Sequence, residues 1–423
     1  MFLLVASGDF FGTYGGGQVY VRNLADEYIR QGVGFAIISC CPSFPLTAEK
    51  RYYKGISVYQ ISTRGDIKSL LKELNPSIVH INGEKPLLAR TCKELCVKSI
   101  VTAHHGGILC PEGAMLNTRD EICRIEANYH DCLHCYLRNI PTGLCWYPLL
   151  RHYSQRHYCK IGTRLRKRKF VPVLSPIGEA GLSVTEKLRA WLQLYHNADM
   201  FIAPSDAMAE ALIRNGLPNK KIVVIPHGIP LPDRVTLPQD HEVTSFYYAG
   251  RISYVKGIHI LLEAFRRAAM HLRTEYKSTK TPTLHLIGGA GTKSERRYFM
   301  RLKHKYHKDS NILWHSKVPA DQVFSVTEKY GAMLHPAIFL ESFGLNIAEA
   351  LSQGHWVIAT RCGGAEMQLQ DGINGTLVPP NDVSALQRAI EDYILRPQKP
   401  SHTHIISISA HARTLLNLYN TIK

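Results

Sequence analysis

HPAIFLESFGLNIAEALSQGHWVIATRCGGAE, residues 335–366, contains the end of one buried strand, a loop, a short helix and a second strand. The apolar runs Ala332–His335 and Trp356–Thr360 are short and show no polar alternation, which is the pattern of strands covered on both faces. A helix near Gly344–Gln353 lies between them. Strands joined through a helix run parallel, so this stretch is one unit of a parallel α/β sheet.

The same alternation extends in both directions. Upstream lie strands at Ser245–Ala249, Thr283–Ile287 and Ile312–Trp314, with a helix over Gly257–Met270. Nearer the start, Phe2–Ala6 is a strand, and Val19–Arg30 carries Val21, Leu24, Ala25, Tyr28 and Ile29 on one helical stripe that Gly32 stops. Further strands are expected at Phe35–Ile38, Ile78–Ile81, Ser99–Thr102, Met200–Ala203 and Ile222–Ile225. PHGIPLPDRVTLPQDHE, residues 226–242, has four prolines and no apolar periodicity, and reads as a linker. The expected fold class is therefore α/β, with two doubly wound Rossmann-like domains facing a cleft. The first spans 1–232 with an insertion at about 105–170, the second spans 243–400, and a helix over 405–423 packs back.

The 423 residues are 45% hydrophobic and 20% charged, enough for two cores, which excludes a mini-domain, a disordered tail or a fibrous repeat. Lys and Arg number 51 against 34 Asp and Glu, a net charge of +17 that attracts an anionic partner. No run of eighteen apolar residues occurs and MFLLVAS lacks a cationic leader, so a cytoplasmic chain is expected.

Three segments carry candidate chemistry. GTYGGGQVY follows a strand and opens a helix, so the Gly16 and Gly17 amides either approach a phosphate or form only a tight turn. YYAGRISYVKG sets Arg251 and Lys256 just past a strand end, where two cations either neutralise a diphosphate or lie in a solvated loop. In the opening stretch, Glu341 and Glu349 are separated by seven residues around a helix start. Such a helix offers unpaired amides to a phosphate while the carboxylates accept from hydroxyls. A polyhydroxylated, diphosphate-bearing ligand fits both.

Together with VTAHHG, NADMFIAPSDAMAEALIRNG, KIVVIPHGI and DGINGTLVPPND, these motifs make the chain resemble the retaining glycosyltransferases of family 4, with the GT-B fold. The resemblance implies hexosyl transfer from a nucleotide-sugar donor to a sugar, polysaccharide or lipid-linked acceptor, in glycan, polysaccharide or glycolipid synthesis. It implies that Arg251 and Lys256 hold the donor diphosphate. Glu341 and the amides of Phe343, Gly344 and Leu345 would address the donor sugar, and Glu349 the ribose. Gly16 and Gly17 would face the phosphates, with His104 near the transferred sugar. The family uses no metal-bridging Asp-x-Asp, none occurs here, and no catalytic metal is expected. Other readings are an epimerase or phosphorylase of the same architecture, or a metal-stabilised membrane or nucleic-acid adaptor. An adaptor has no reason to keep Glu341, Glu349, Arg251 and Lys256 at these positions, and nucleic acid is not the expected partner.

Six of the eleven cysteines lie between Cys110 and Cys159. Cys110, Cys123, Cys132 and Cys135 follow C-x12-C-x8-C-x2-C, whose terminal pair has the bite of a metal knuckle. Four thiolates would form a closed structural site for zinc or an iron–sulfur cluster; the sequence does not separate them. Finally, residues 151–170 hold eight Lys or Arg and no acid, with Tyr153, Tyr158 and Phe170 interspersed. That composition suits an anionic membrane surface and peripheral attachment to the inner membrane face, and equally a solvated charged face.

Overall fold

The computed structural model describes residues 1–6, 8–12, 15–138, 140, 143–152, 155, 163, 174–231, 243–275 and 281–422. Most of the basic segment 151–170, including Tyr153, Tyr158 and Phe170, lies outside the described residues, as does most of the proline-rich linker. The chain forms two units, Met1–Pro226 with Ser409–Lys423, and His227–Ile408.

In the first unit the strands are β1 (Phe2–Ala6), β2 (Phe35–Cys40), β3 (Glu49–Tyr53), β4 (Ile56–Ile61), β5 (Ile78–Asn82), β6 (Lys98–Thr102), β7 (Met200–Ala203) and β8 (Ile222–Val224). They make one sheet in the order β3-β4-β2-β1-β5-β6-β7-β8. Every pair is parallel except β3 with β4, a hairpin whose turn residues Lys54 and Gly55 both have positive φ, 48° and 86°. All five residues of β1 are buried, as its central place between β2 and β5 requires. Chain order reverses between β1 and β5, and ligands of doubly wound sheets bind outside the strand ends at such a point.

The closing helix, Ile408–Ile422, enters this unit through a buried polar chain. Tyr419 Oη stands 2.5 Å from His80 Nδ1 and 3.3 Å from Tyr28 Oη, and His80 Nε2 is 2.7 Å from Thr102 Oγ1. His411 Nε2 meets Tyr20 Oη at 2.7 Å. Burial pushes His80 down to about 3, so it is a neutral imidazole that donates through one nitrogen and accepts through the other. Because each buried group is satisfied by another in this chain, removal of one hydroxyl strands its neighbours.

The second unit is a six-stranded, all-parallel sheet. Its strands are β9 (Ser245–Ala249), β10 (Thr283–Ile287), β11 (Ile312–His315), β12 (Ala332–His335), β13 (Trp356–Thr360) and β14 (Gly375–Val378), in the order β11-β10-β9-β12-β13-β14. Helix Ile258–Thr274 buries Leu261, Leu262, Phe265 and Ala268 against Phe246, Leu284 and Leu286 of the sheet. Here the order reverses between β9 and β12.

Tyr419→Phe should lower the stability of the first unit by about 1–3 kcal/mol, the cost of an orphaned buried group. Equilibrium urea unfolding of the full chain measures it, with Tyr52→Phe, on an exposed tyrosine, as the control expected to change little.

Candidate active site

The switch point of the second unit fixes which loops meet. The loop leaving β9 carries Arg251 and Lys256, and the loop leaving β12 carries Glu341. These strands are hydrogen-bonded neighbours, so their carboxyl ends open side by side. The two loops then pack backbone to backbone, with Ile338 N donating to Val255 O at 3.0 Å. Gly257 makes this approach feasible. It sits in the left-handed region at φ 68°, and a Cβ there would stand 1.8 Å from Pro336 O.

Across this seam the Lys256 ammonium donates to the Glu341 carboxylate. Both side chains are largely buried, and Lys256 also lies 4.9 Å from the centre of the Phe339 ring. Burial alone would raise the Glu341 carboxyl, but Lys256, His335 and Arg251 outweigh it and hold it below its ordinary value. Glu341 is fixed from behind as well. Its amide donates to Cys362 O and its carbonyl accepts from Gly364 N, each at 2.8 Å.

Glu341 leads directly into a helix start. Gly344, at φ 82°, is the N-cap of helix Leu345–Ser352, whose first amides have no partner within the helix. Phe343 is buried against Ile229 and Ala348, anchoring the turn. Gln368 Nε2 donates to Phe343 O, and the Asn346 amide group donates to Ala249 O at the end of β9, 3.0 Å away.

Glu349, in the same helix, is in the opposite electrostatic situation. No hydrogen bond or ion pair engages its carboxylate among the described residues, and burial pushes it up to about 7. It is poised between its two protonation states near neutrality.

Arg251 is brought to the site but not onto the pair. Its side chain is 56% exposed and its guanidinium lies 3.4 Å from Glu295 Oε1, while its charge still acts on Glu341. The structure adds His335, which sequence reading passed over as a strand terminus. This side chain is 0% exposed, with Nε2 3.6 Å from Glu341 Oε2 and neither ring nitrogen hydrogen-bonded among the described residues. Burial first, then Lys256, bring it down to about 4, so it faces the pair as a neutral ring.

In the first unit, Gly16 and Gly17 are the first two residues of helix Gly16–Arg30, following β1. Gly16 is exposed at a helix start with no side chain covering it. His104 follows β6, where its Nε2 donates to Asn82 Oδ1 at 2.8 Å; Asn82 Nδ2 donates in turn to Val5 O. Burial, then His105, His80 and His411, take His104 down to about 3, which makes it a neutral donor rather than a cation. Asn82, the last residue of β5, had no motif to announce it.

Cys110, Cys123, Cys132 and Cys135 line one cavity of about 150 Å³ in this unit. Among the described residues, no group of three or more His, Cys, Asp or Glu converges closely enough to hold a metal ion. Burial raises the Cys132 thiol to about 12 and Cys135 to about 11, and the neighbouring sulfurs add to both shifts.

Comparison with known proteins places this arrangement. Residues 233–407 match the model of glycosyl transferases group 1, and residues 14–123 with 177–232 match that of glycosyltransferase family 4. The chain belongs to the family 4 glycosyltransferases. Curated relatives include the sucrose synthase of Acidithiobacillus caldus, 27% identical over 44% of this chain and 24% of that protein. The D-inositol 3-phosphate glycosyltransferase of Corynebacterium urealyticum is 26% identical over 54% of this chain and 58% of that protein. The chain thus spans a quarter to somewhat over half the length of these relatives. Among solved structures, sucrose-phosphate synthase from Thermosynechococcus elongatus superposes with a TM-score of 0.65 at 17% identity, covering 99% of this chain and 98% of that one. Anabaena HepE in complex with UDP-glucose gives 0.60 at 17% identity, covering 100% and 97%. Both likenesses support the two-domain GT-B fold.

Since Gly257 alone permits the two loops of this family 4 chain to touch, Gly257→Ala should destabilise the second unit by about 1–3 kcal/mol. Thermal unfolding would register the loss, whereas Gly55→Ala, with open space around its added methyl group, should cost less.

Proposed function

We propose that the chain is a retaining hexosyltransferase, moving a sugar from a nucleoside diphosphate sugar to an acceptor hydroxyl. The observation that carries the reading is the meeting of Lys256 and Glu341 at the β9/β12 switch point, beside an unpaired helix start. In such a transfer the bond between the anomeric carbon and the diphosphate oxygen breaks, and negative charge grows on the departing phosphate. Lys256, the Leu345 helix start and Arg251, whose 3.4 Å contact with Glu295 is easily exchanged, supply fixed positive potential there. Glu341 is held ionised and oriented, so it accepts from sugar hydroxyls. Glu349, half-buried and without a side-chain partner among the described residues, accepts from the ribose hydroxyls, and that contact satisfies its carboxylate.

Retention follows in this reading from attack on the face the diphosphate leaves. The acceptor hydroxyl gives its proton to a phosphate oxygen as its own oxygen bonds the anomeric carbon, and no protein nucleophile is used. His104, a neutral donor at the end of β6, orients the sugar by hydrogen bonding. Gly16 and Gly17 present helix amides to the phosphates. The eight cations of residues 151–170 support a lipid-linked acceptor on an anionic membrane, with the enzyme attached peripherally. No described helix is long and apolar enough to cross a membrane.

Lys256→Ala and Glu341→Ala should each lower transfer by about 100- to 1,000-fold, because each removes a preorganised charge. Each also leaves a buried partner unpaired, so stability falls too. The double variant Lys256→Met/Glu341→Gln separates the effects: its melting temperature should recover towards the parent while transfer stays lost. A panel of nucleotide sugars, scored for thermal stabilisation and then for product, identifies the donor for these assays. Unaltered rates in the single variants would place the chemistry elsewhere.

Ribose hydroxyls that donate to Glu349 favour its carboxylate over the acid, so donor binding should release a proton. With the free carboxyl at about 7, affinity should rise with pH across about pH 6 to 8 and level off above. A nucleotide sugar has no phosphate that titrates in this window, so calorimetry at several pH values reports on the protein. Glu349→Gln should bind more weakly and lose the dependence.

A further inference from the structure

The cysteine cavity answers a question its spacing left open. A single tetrahedral zinc ion holds each sulfur at roughly 2.3 Å, so four ligands must lie within about 4 Å of one another. Cys110, Cys123, Cys132 and Cys135 all border one cavity, yet no three of the described side chains gather around a point that one ion could occupy. The space they border is about 150 Å³, comparable to an engineered void that takes benzene. One ion would leave most of it empty.

The frame around the cavity is built to hold these positions. Cys132 and Cys135 stand three apart on helix Tyr129–Leu137, so both project from one face. Asn128 caps that helix, its Oδ1 accepting from Asp131 N at 3.0 Å, and Leu133 and Leu137 pack on Ala180 and Val184 of helix Leu174–Asn197. The loop from Cys110 to Cys123 folds back on itself through the Leu116–Ile122 bridge and the 2.7 Å bond from Cys123 N to Met115 O. Arg138 ties loop to helix, donating to Asn117 O at 2.9 Å and Asp120 Oδ1 at 2.8 Å. Gly113 N donates to Cys110 O at 3.0 Å, closing the turn that carries this cysteine. The walls between the sulfurs include the apolar Leu109, Leu116 and Ile125, while Arg124 also borders the space.

We propose that Cys110, Cys123, Cys132 and Cys135 bind a four-iron, four-sulfide cluster that fills this cavity. In a cluster each sulfur binds a different iron, so the thiolates sit apart at the corners of an inorganic core, matching thiols that share a cavity without sharing a point. The core with four thiolates is an anion, and the charged side chains bordering the space are Arg124, Glu112 and Asp131. The site does not depend on the sugar-transfer reading, since it lies in the first unit and its readouts are metal and sulfide.

The test uses the full chain under anaerobic conditions and a preformed four-iron cluster carrying four 2-mercaptoethanol ligands. Each protein S–H passes its proton to a departing mercaptoethanol thiolate as the cysteine sulfur bonds iron, so no electron moves and the core is conserved. We expect a broad visible absorption band, with iron and acid-labile sulfide in equal amounts of about four each per chain after desalting. Alkylation of the loaded protein should then spare these four cysteines while exposed Cys96 and Cys145 react. This reading uses the unmodified chain, so it stands even if a variant fails to fold. Cys132→Ser and Cys110→Ser should each cut bound iron severalfold, and Cys145→Ser should leave it unchanged. Protein that takes up one zinc per chain in preference to the cluster, retains no iron, or retains iron with all four thiols still reactive would overturn the assignment.

Discussion

Two strands that neighbour one another in space, but not in sequence, must end together. In the second unit this constraint joins Lys256, after β9, to Glu341, after β12, and 85 residues of chain separate them. The ion pair depends on the close approach at Gly257 and Pro336, and the approach depends on the reversal of strand order between β9 and β12. A side chain at 257 would push the loops apart and dissolve the pair. The chemistry of the site therefore rests on a backbone condition that no charged residue could satisfy.

The same helix region handles two carboxylates in opposite ways. Glu341 is neutralised in advance by Lys256 and stays ionised despite burial, whereas Glu349 is half-buried without a partner among the described residues and hovers near 7. A paired charge is ready at every working pH and loses little when hydroxyls replace water around it. An unpaired one carries a desolvation cost that a ligand relieves on arrival, so part of that cost reappears as affinity. His335 belongs with this contrast: its neutral ring beside the pair fills space without adding a competing cation.

Much of this was legible in the sequence because parallel strands are short unbroken apolar runs and the turns carry glycine. β1, β7, β9, β10, β12 and β13 lie where the apolar runs put them. The edge hairpin of β3 and β4 escaped because EKRYY is mostly exposed and has no apolar run, its signal being only the Lys54-Gly55 turn. The first helix starts at Gly16, ahead of its apolar stripe, since its glycines form the opening turn. The closing helix was visible as a stripe, but its place in the first unit comes from His411 and Tyr419, which pair with Tyr20 and His80 far earlier in the chain. Arg251 and Lys256 stood out through flanking Gly250 and Gly257, and Glu341 and Glu349 through the Ser-Phe-Gly, Glu-Ala-Leu and Gly-Gly-x-Glu around them. Asn82 and His335 did not, because a polar residue that ends a buried strand looks like any other strand end until its neighbours are known.

The two units use buried polarity for different ends. In the first, Tyr20, Tyr28, His80, His411 and Tyr419 satisfy one another inside the core, and their low or raised proton affinities keep every member neutral. Such a network adds specificity to the docking of a helix remote in sequence, because a displaced helix would leave its buried donors and acceptors unpaired. At the site of the second unit the polar set includes the ions Lys256 and Glu341 and is left incomplete: among the described residues Glu349 has no partner, and no side chain caps the Leu345 helix start. A core whose polar groups close on one another holds shape, while groups left without a protein partner are available to a ligand. The incomplete set is therefore the one suited to receive a charged, hydroxylated ligand, and the closed set keeps Asn82 and His104 at the ends of β5 and β6 in fixed positions.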